Sequence, residues 1–211
     1  MRFLGRCAGA TLIVACSLST AAQPSFRIIP YAHNRPITEA LLPDDAEVVV
    51  QRHADRHIYH PEPTGREEVQ MLLADSFDSV VIVQAGDIEG RFVSEGRWIA
   101  TFFSGAVERI LRTQATASSD IRVGQRLTFS VDGGMLKSGA VLVKTEGAPA
   151  YPPGRSYLVF VGRVDPETGV RHAGTGPLLV ERNRLTSVGP TTRRMASLSL
   201  SQVADTVRRF R

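Results

Sequence analysis

The side chains most able to do chemistry are crowded into one short stretch, His53-Ala54-Asp55-Arg56-His57-Ile58-Tyr59-His60. On a helix, His53, His57 and His60 fall at i, i+4 and i+7 on one face. Neutral imidazoles so placed can hold zinc, with Asp55 or Glu62 completing the set. A metal-dependent enzyme built on this stretch needs that helix. Pro61 and Pro63 follow at once and favour an extended exit instead. In a strand, His53 and His57 share a face while His60 points away. The metalloprotease spacing H-E-x-x-H is also missing. His53, His57 and His60 are thus the candidate metal ligands. The expectation is that they form no common site and that the protein holds no metal or other cofactor.

Other reactive patterns fail on spacing. The chain has no G-x-S-x-G, and Phe103-Ser104-Gly105 alone is too common to mark a nucleophile. Asp132-Gly133-Gly134 lacks the further oxygen ligands of a calcium loop and reads as a turn. Gly86 to Gly90 (GDIEG) has neither the Lys-Ser/Thr of a phosphate loop nor the G-x-G-x-x-G spacing. No catalytic residue is assigned. Trp98, Phe102, Phe103, Phe129, Tyr157 and Phe160 lie in strongly apolar runs. They read as core, not as the exposed aromatic platform of a single-strand nucleic-acid binder.

The elements that must carry these residues are mostly strands. From Ser79 to Leu185 the chain reads SVVIVQAG, GRWIATFFSGAVERILRT, QRLTFSVDGG, GAVLVKTE, RSYLVFVGRV and GPLLVERNRL, with Gly, Pro or Asp at nearly every junction. Short period-two runs so punctuated predict a small antiparallel barrel or sandwich of six or seven strands. The long run from Trp98 to Thr113 has apolar residues on both parities and Gly105 at its middle, which predicts a bent strand serving two sheets. Leu142, Leu158 and Phe160 join Trp98, Phe102 and Phe129 in the expected core. Two helices flank the strands. Thr64-Gly65-Arg66-Glu67 and Ser199-Leu200-Ser201-Gln202 are capping boxes. Behind them Val69, Leu72, Leu73 and Phe77, and Val203, Val207 and Phe210, fall at helical spacing. Residues 23–63, broken by six prolines, predict an irregular arm wrapping the barrel, with at most a short strand at Glu47 to Gln51.

The first residues bear on location. Arg2 and Arg6 precede the apolar run Cys7 to Leu18, which is too short for a typical membrane span, and small residues 19–22 offer a cleavage site after Ala22. This order predicts a signal peptide, hence export to the periplasm or exterior. Ile13-Val14-Ala15-Cys16 also has the form of a lipobox, which would anchor the chain as a structural envelope lipoprotein through Cys16. With cleavage after Ala22 both cysteines, Cys7 and Cys16, leave with the leader, and the product has no disulfide.

Charge excludes little. The formal net charge is +4, and loss of Arg2 and Arg6 halves it, so the balance gives no basis for a nucleic-acid partner. The distribution is uneven: from residue 182 onward seven arginines face Asp205 alone. Such a basic C-terminal stretch can make weak contact with an anionic surface. Arg208, Arg209 and Arg211 also sit where a helix C-terminus favours positive charge.

Residues Val80 to Leu185, about half the chain, resemble a set of uncharacterised exported bacterial proteins. The likeness rests on VVIVQAGDI, AVERILRT, GQRLTFSVDGG and EGAPAYPPGRSYLVFVG, in that order. It implies a small OB-like or netrin-like barrel, similar in plan to the inhibitory domain of tissue inhibitors of metalloproteinases. Those inhibitors act through an N-terminal cysteine held by disulfides. This chain offers none after cleavage, so that mechanism does not carry over, and the resemblance brings no catalytic residue. The sequence reading is therefore a mostly β domain with an OB-like closed or partly open barrel at 64–190 and a C-terminal helix within 191–211. Its expected role is a non-catalytic binding or accessory function in the cell envelope, toward a protein or other envelope component.

Overall fold

The computed structural model describes residues 26–30, 48–52, 63–77, 79–93, 98–113, 121–139, 141–145, 147–166, 168–189 and 192–210, with backbone alone for 26–30, 48–52 and Trp98. The expected leader, both cysteines and the stretch carrying His53, His57 and His60 lie outside these residues, as does the side chain of Trp98.

The chain is mostly β, with a closed five-stranded barrel and two helices. Eleven strands are described: β1 (Phe26–Pro30), β2 (Val48–Arg52), β3 (Ser79–Val93), β4 (Trp98–Arg112), β5 (Arg126–Asp132), β6 (Met135–Ser138), β7 (Val141–Thr145), β8 (Ser156–Val164), β9 (Arg171–Ala173), β10 (Leu178–Glu181) and β11 (Arg184–Ser187). The helices are α1 (Gly65–Ala74) and α2 (Leu200–Arg209). Around the barrel the order is β3-β4-β5-β9-β8, and β8 pairs back onto β3. Neighbours are antiparallel except β5 and β9, which run parallel with Phe129 opposite Arg171 and Ser130 opposite His172. That is the connectivity of an OB barrel.

Alternation along the strands divides the apolar residues between two cores. Val81, Val83, Phe103, Phe129, Tyr157 and Val159 point into the barrel. Val80, Ile82, Leu158 and Phe160, on the opposite parity, point outward and meet Val69 and Leu73 of α1 and Val203 and Val207 of α2. Both helices therefore pack on one outer face of the barrel. Each begins with the capping box that its sequence predicts: Thr64 with Glu67, and Ser199 with Gln202. A third, small cluster joins Ile99 to Val143.

Three expectations need correction. The segment 23–63, expected as an irregular arm with at most a short strand at Glu47 to Gln51, has β2 at that place but also contributes β1, and the two join β7 and β6 in a separate sheet of order β1-β2-β7-β6. The six or seven expected strands omitted β9, which closes the barrel, and also β6 and β11. Leu142 is only half-buried, because β7 belongs to that second sheet and it is Val143 that turns inward. Phe102, Phe129, Leu158 and Phe160 are buried as expected. Gly105 sits where β3 and β4 press together: a Cβ there would stand 2.1 Å from the Gln84 carbonyl oxygen. The register shifts at Ala85/Asp87 beside it, as the bent-strand reading anticipated.

Candidate functional site

The barrel interior ends in an aromatic stack. Phe103 and Phe129, from neighbouring strands, lie face to face with centroids 4.8 Å apart. Tyr151 stands edge-on against Phe103 at 4.9 Å and against Tyr157 at 6.0 Å. The segment carrying Tyr151, residues 147–155, reads GAPAYPPGR, and its prolines limit its freedom. It is tied down at three points. The Tyr157 hydroxyl donates to the Pro152 carbonyl at 2.7 Å, the Gly154 amide to Ala85 at 2.6 Å, and the Ala148 amide to Thr145 at 3.1 Å.

Beside this segment opens a cleft of about 270 Å³, at the C-terminal ends of the parallel strands β5 and β9. One wall is the corner Asp132-Gly133-Gly134. Only glycine fits there: residue 133 has φ +82° and residue 134 φ +142°, and a Cβ on the latter would stand 2.1 Å from the Thr101 hydroxyl oxygen. Two buried threonines pin the corner. Thr101 Oγ1 donates to the Gly133 carbonyl at 2.8 Å, and Thr145 Oγ1 accepts from the Gly134 amide at 2.9 Å. The opposite wall is His172 to Gly176, with Gly189 behind it.

Besides Thr145, four described side chains of the cleft carry hydrogen-bonding groups: Asp132, Tyr151, His172 and Thr175. His172 Nε2 lies 3.9 Å from Asp132 Oδ2 across the cleft. Thr175 and Tyr151 bring hydroxyls that bond to no described residue. Burial, aided by Tyr157, pushes the Tyr151 phenol well above its ordinary value, so it stays a proton donor. Among the described residues that form the cleft there is no lysine or arginine.

His172 also receives support from behind. The Phe77 ring lies 6.2 Å from its imidazole, at the end of α1, and packs against Gly162 of β8 and Gly174 just beyond β9. Helix α1 thereby braces the shortest strand of the barrel. A second, shallower groove crosses the outer face of β3, β4 and β5, where Arg126 bridges Asp87 at 2.5 Å and Ser104 at 2.6 Å. Both charges of that pair are largely exposed, which makes the ion pair weak.

Among the described residues no three His, Cys, Asp or Glu side chains gather as metal ligands, and no helix is long and apolar enough to cross a membrane. The C-terminal arginines are spread out. Arg182 sits at the β10–β11 turn beside the start of α2, where Asn183 accepts from Ser201, while Arg208 and Arg209 lie at the far end, about 15 Å away. Sequence reasoning took Asp132-Gly133-Gly134 as a turn and gave His172 no role. The signal was the recurrence of glycine in DGG, EGA, HAGTG and SVG, four segments that only the fold brings together. No family model matches this chain, and no curated protein matches it.

Proposed function

We propose that this protein is an exported, non-catalytic binding or accessory protein of the cell envelope, and that the cleft beside Tyr151 holds its ligand. Its leader-like N-terminus supports export. The cleft supports binding. The observation that carries the reading is the set Tyr151, Thr175, Asp132 and His172: donors and acceptors around one small space, with a phenol kept protonated and no cationic side chain among the described residues that form it. Such a set suits a small neutral ligand rich in hydroxyl groups, such as a sugar unit, better than a phosphate or carboxylate, which asks for Arg, Lys or a helix N-terminus. The fold alone does not carry this reading, since one barrel serves many functions.

The test is a binding titration followed by NMR with neutral methyl glycosides, inorganic phosphate and acetate as separate probes. The reading expects saturable binding of at least one glycoside and none of either anion. Tyr151→Phe keeps the ring and removes the hydroxyl, and should weaken binding about 2–10-fold, the net worth of one hydrogen bond. Anion binding with no glycoside binding would refute the reading.

A further inference from the structure

The segment bearing Tyr151 has a cavity on each side. Across it from the polar cleft lies a second space of about 220 Å³, bounded by Ile88, Met135, Ala150 and Pro153. Pro149 and Tyr151 form part of both spaces. The two differ in chemistry. The first presents Asp132, His172, Thr175 and the Tyr151 phenol. Apart from the shared Tyr151, the described residues of the second are aliphatic, glycine or proline except for Thr101, whose hydroxyl is already spent on the Gly133 carbonyl. The partition does not swing freely, because the Tyr151 ring is wedged against Phe103 and Tyr157.

Resting on the reading of the cleft as a binding site, we propose that the two spaces are one bipartite site for a neutral sugar bearing a short alkyl or acyl group. The hydroxyl-rich head occupies the polar cleft and the apolar substituent crosses Tyr151 into the second space. A methylene group is about the size of a water, which takes roughly 30 Å³, so the second space accommodates on the order of six or seven carbons. A long lipid chain does not fit; a short substituent does.

The experiment is a titration of the whole protein with methyl, butyl, hexyl, octyl and dodecyl β-glucosides, each below its micelle concentration. Affinity should rise by about fourfold per methylene, the factor expected for a buried CH₂, and level off near hexyl to octyl. Ala150 is exposed on the rim of the second space, so Ala150→Phe should fold normally. It should abolish the chain-length gain, so that butyl to octyl glucosides bind no more tightly than methyl glucoside. A flat series in the wild type, with methyl glucoside still bound, would overturn the bipartite site and leave the polar cleft standing. A gain that continues undiminished to dodecyl would also overturn it, since the tail would then lie on an open surface. Absence of binding by every glucoside would overturn the underlying reading as well.

Discussion

The Phe77 ring occupies the volume that a side chain on Gly174 would need: a Cβ there would stand 2.5 Å from the ring's Cγ. This contact joins the end of α1 to the segment just past β9, and so links the helical layer to the wall of the cleft. Gly174→Ala should cost about 1–3 kcal/mol through overpacking. In a Phe77→Ala background the same substitution should cost much less, and a double-mutant cycle in denaturant would read the difference. Additive effects would mean that the two residues do not touch in solution.

The two-core arrangement predicts a contrast within β8. Phe160 is buried among the helices, and Phe160→Ala should destabilise the protein by roughly 3–5 kcal/mol. Val164, at the end of the same strand, is 52% exposed, and Val164→Ala should change stability by less than about 0.5 kcal/mol. Urea titrations of both variants check the register, because a one-residue slip would exchange inward and outward parities.

Glu68 supplies a pH dependence. Its Oε2 is buried with no hydrogen-bond partner among the described residues, and burial raises its carboxyl above the ordinary value, against the attraction of Arg194 and a hydrogen bond from the Met195 amide. With a raised native value, the folded state binds more protons than the unfolded state between the two values, so stability from this group falls as pH rises through them. Glu68→Gln should therefore stabilise the protein at pH 7, and the gain should vanish as pH drops below the ordinary carboxylate range. Melting temperatures of both proteins across that range measure it. A difference independent of pH would contradict the burial argument.

Arg112 ties β4 to the end of α2. Its guanidinium donates to the carbonyls of Val207 and Phe210, at 3.2 and 2.5 Å, and lies 5.3 Å from the Phe210 ring centroid. Arg112→Ala should cost about 1–3 kcal/mol and lower amide protection first in the last turn of α2. Uniform loss of protection throughout the chain would show that this end is not separately held.

What was legible in the sequence was local. Both capping boxes lie within four residues, and both form. The alternation in SVVIV and SYLVFV assigns strands because each side chain's face follows from its parity alone. Strand β9 escaped because Arg171-His172-Ala173 has no alternation long enough to see, and its strand character comes from partners on β5 and β8. Strand β1 was hidden by the prolines around it, whereas β2 falls on the apolar run Glu47 to Gln51 that reads as a short strand. The cleft escaped for the same reason as β9: each of its walls is a turn when read alone, and only closure of the barrel sets Asp132 opposite His172.

The central claim is that ligand enters the cleft at the ends of β5 and β9. Amide chemical-shift mapping during a titration with a neutral methyl glycoside tests it most directly. The account predicts shifts concentrated at Asp132 to Gly134, Gly147 to Tyr151 and His172 to Gly176, with little change at Ser104, Arg126 and Thr128. Shifts centred on the outer face of β4 and β5 instead would contradict it and place the ligand in the groove beside Arg126.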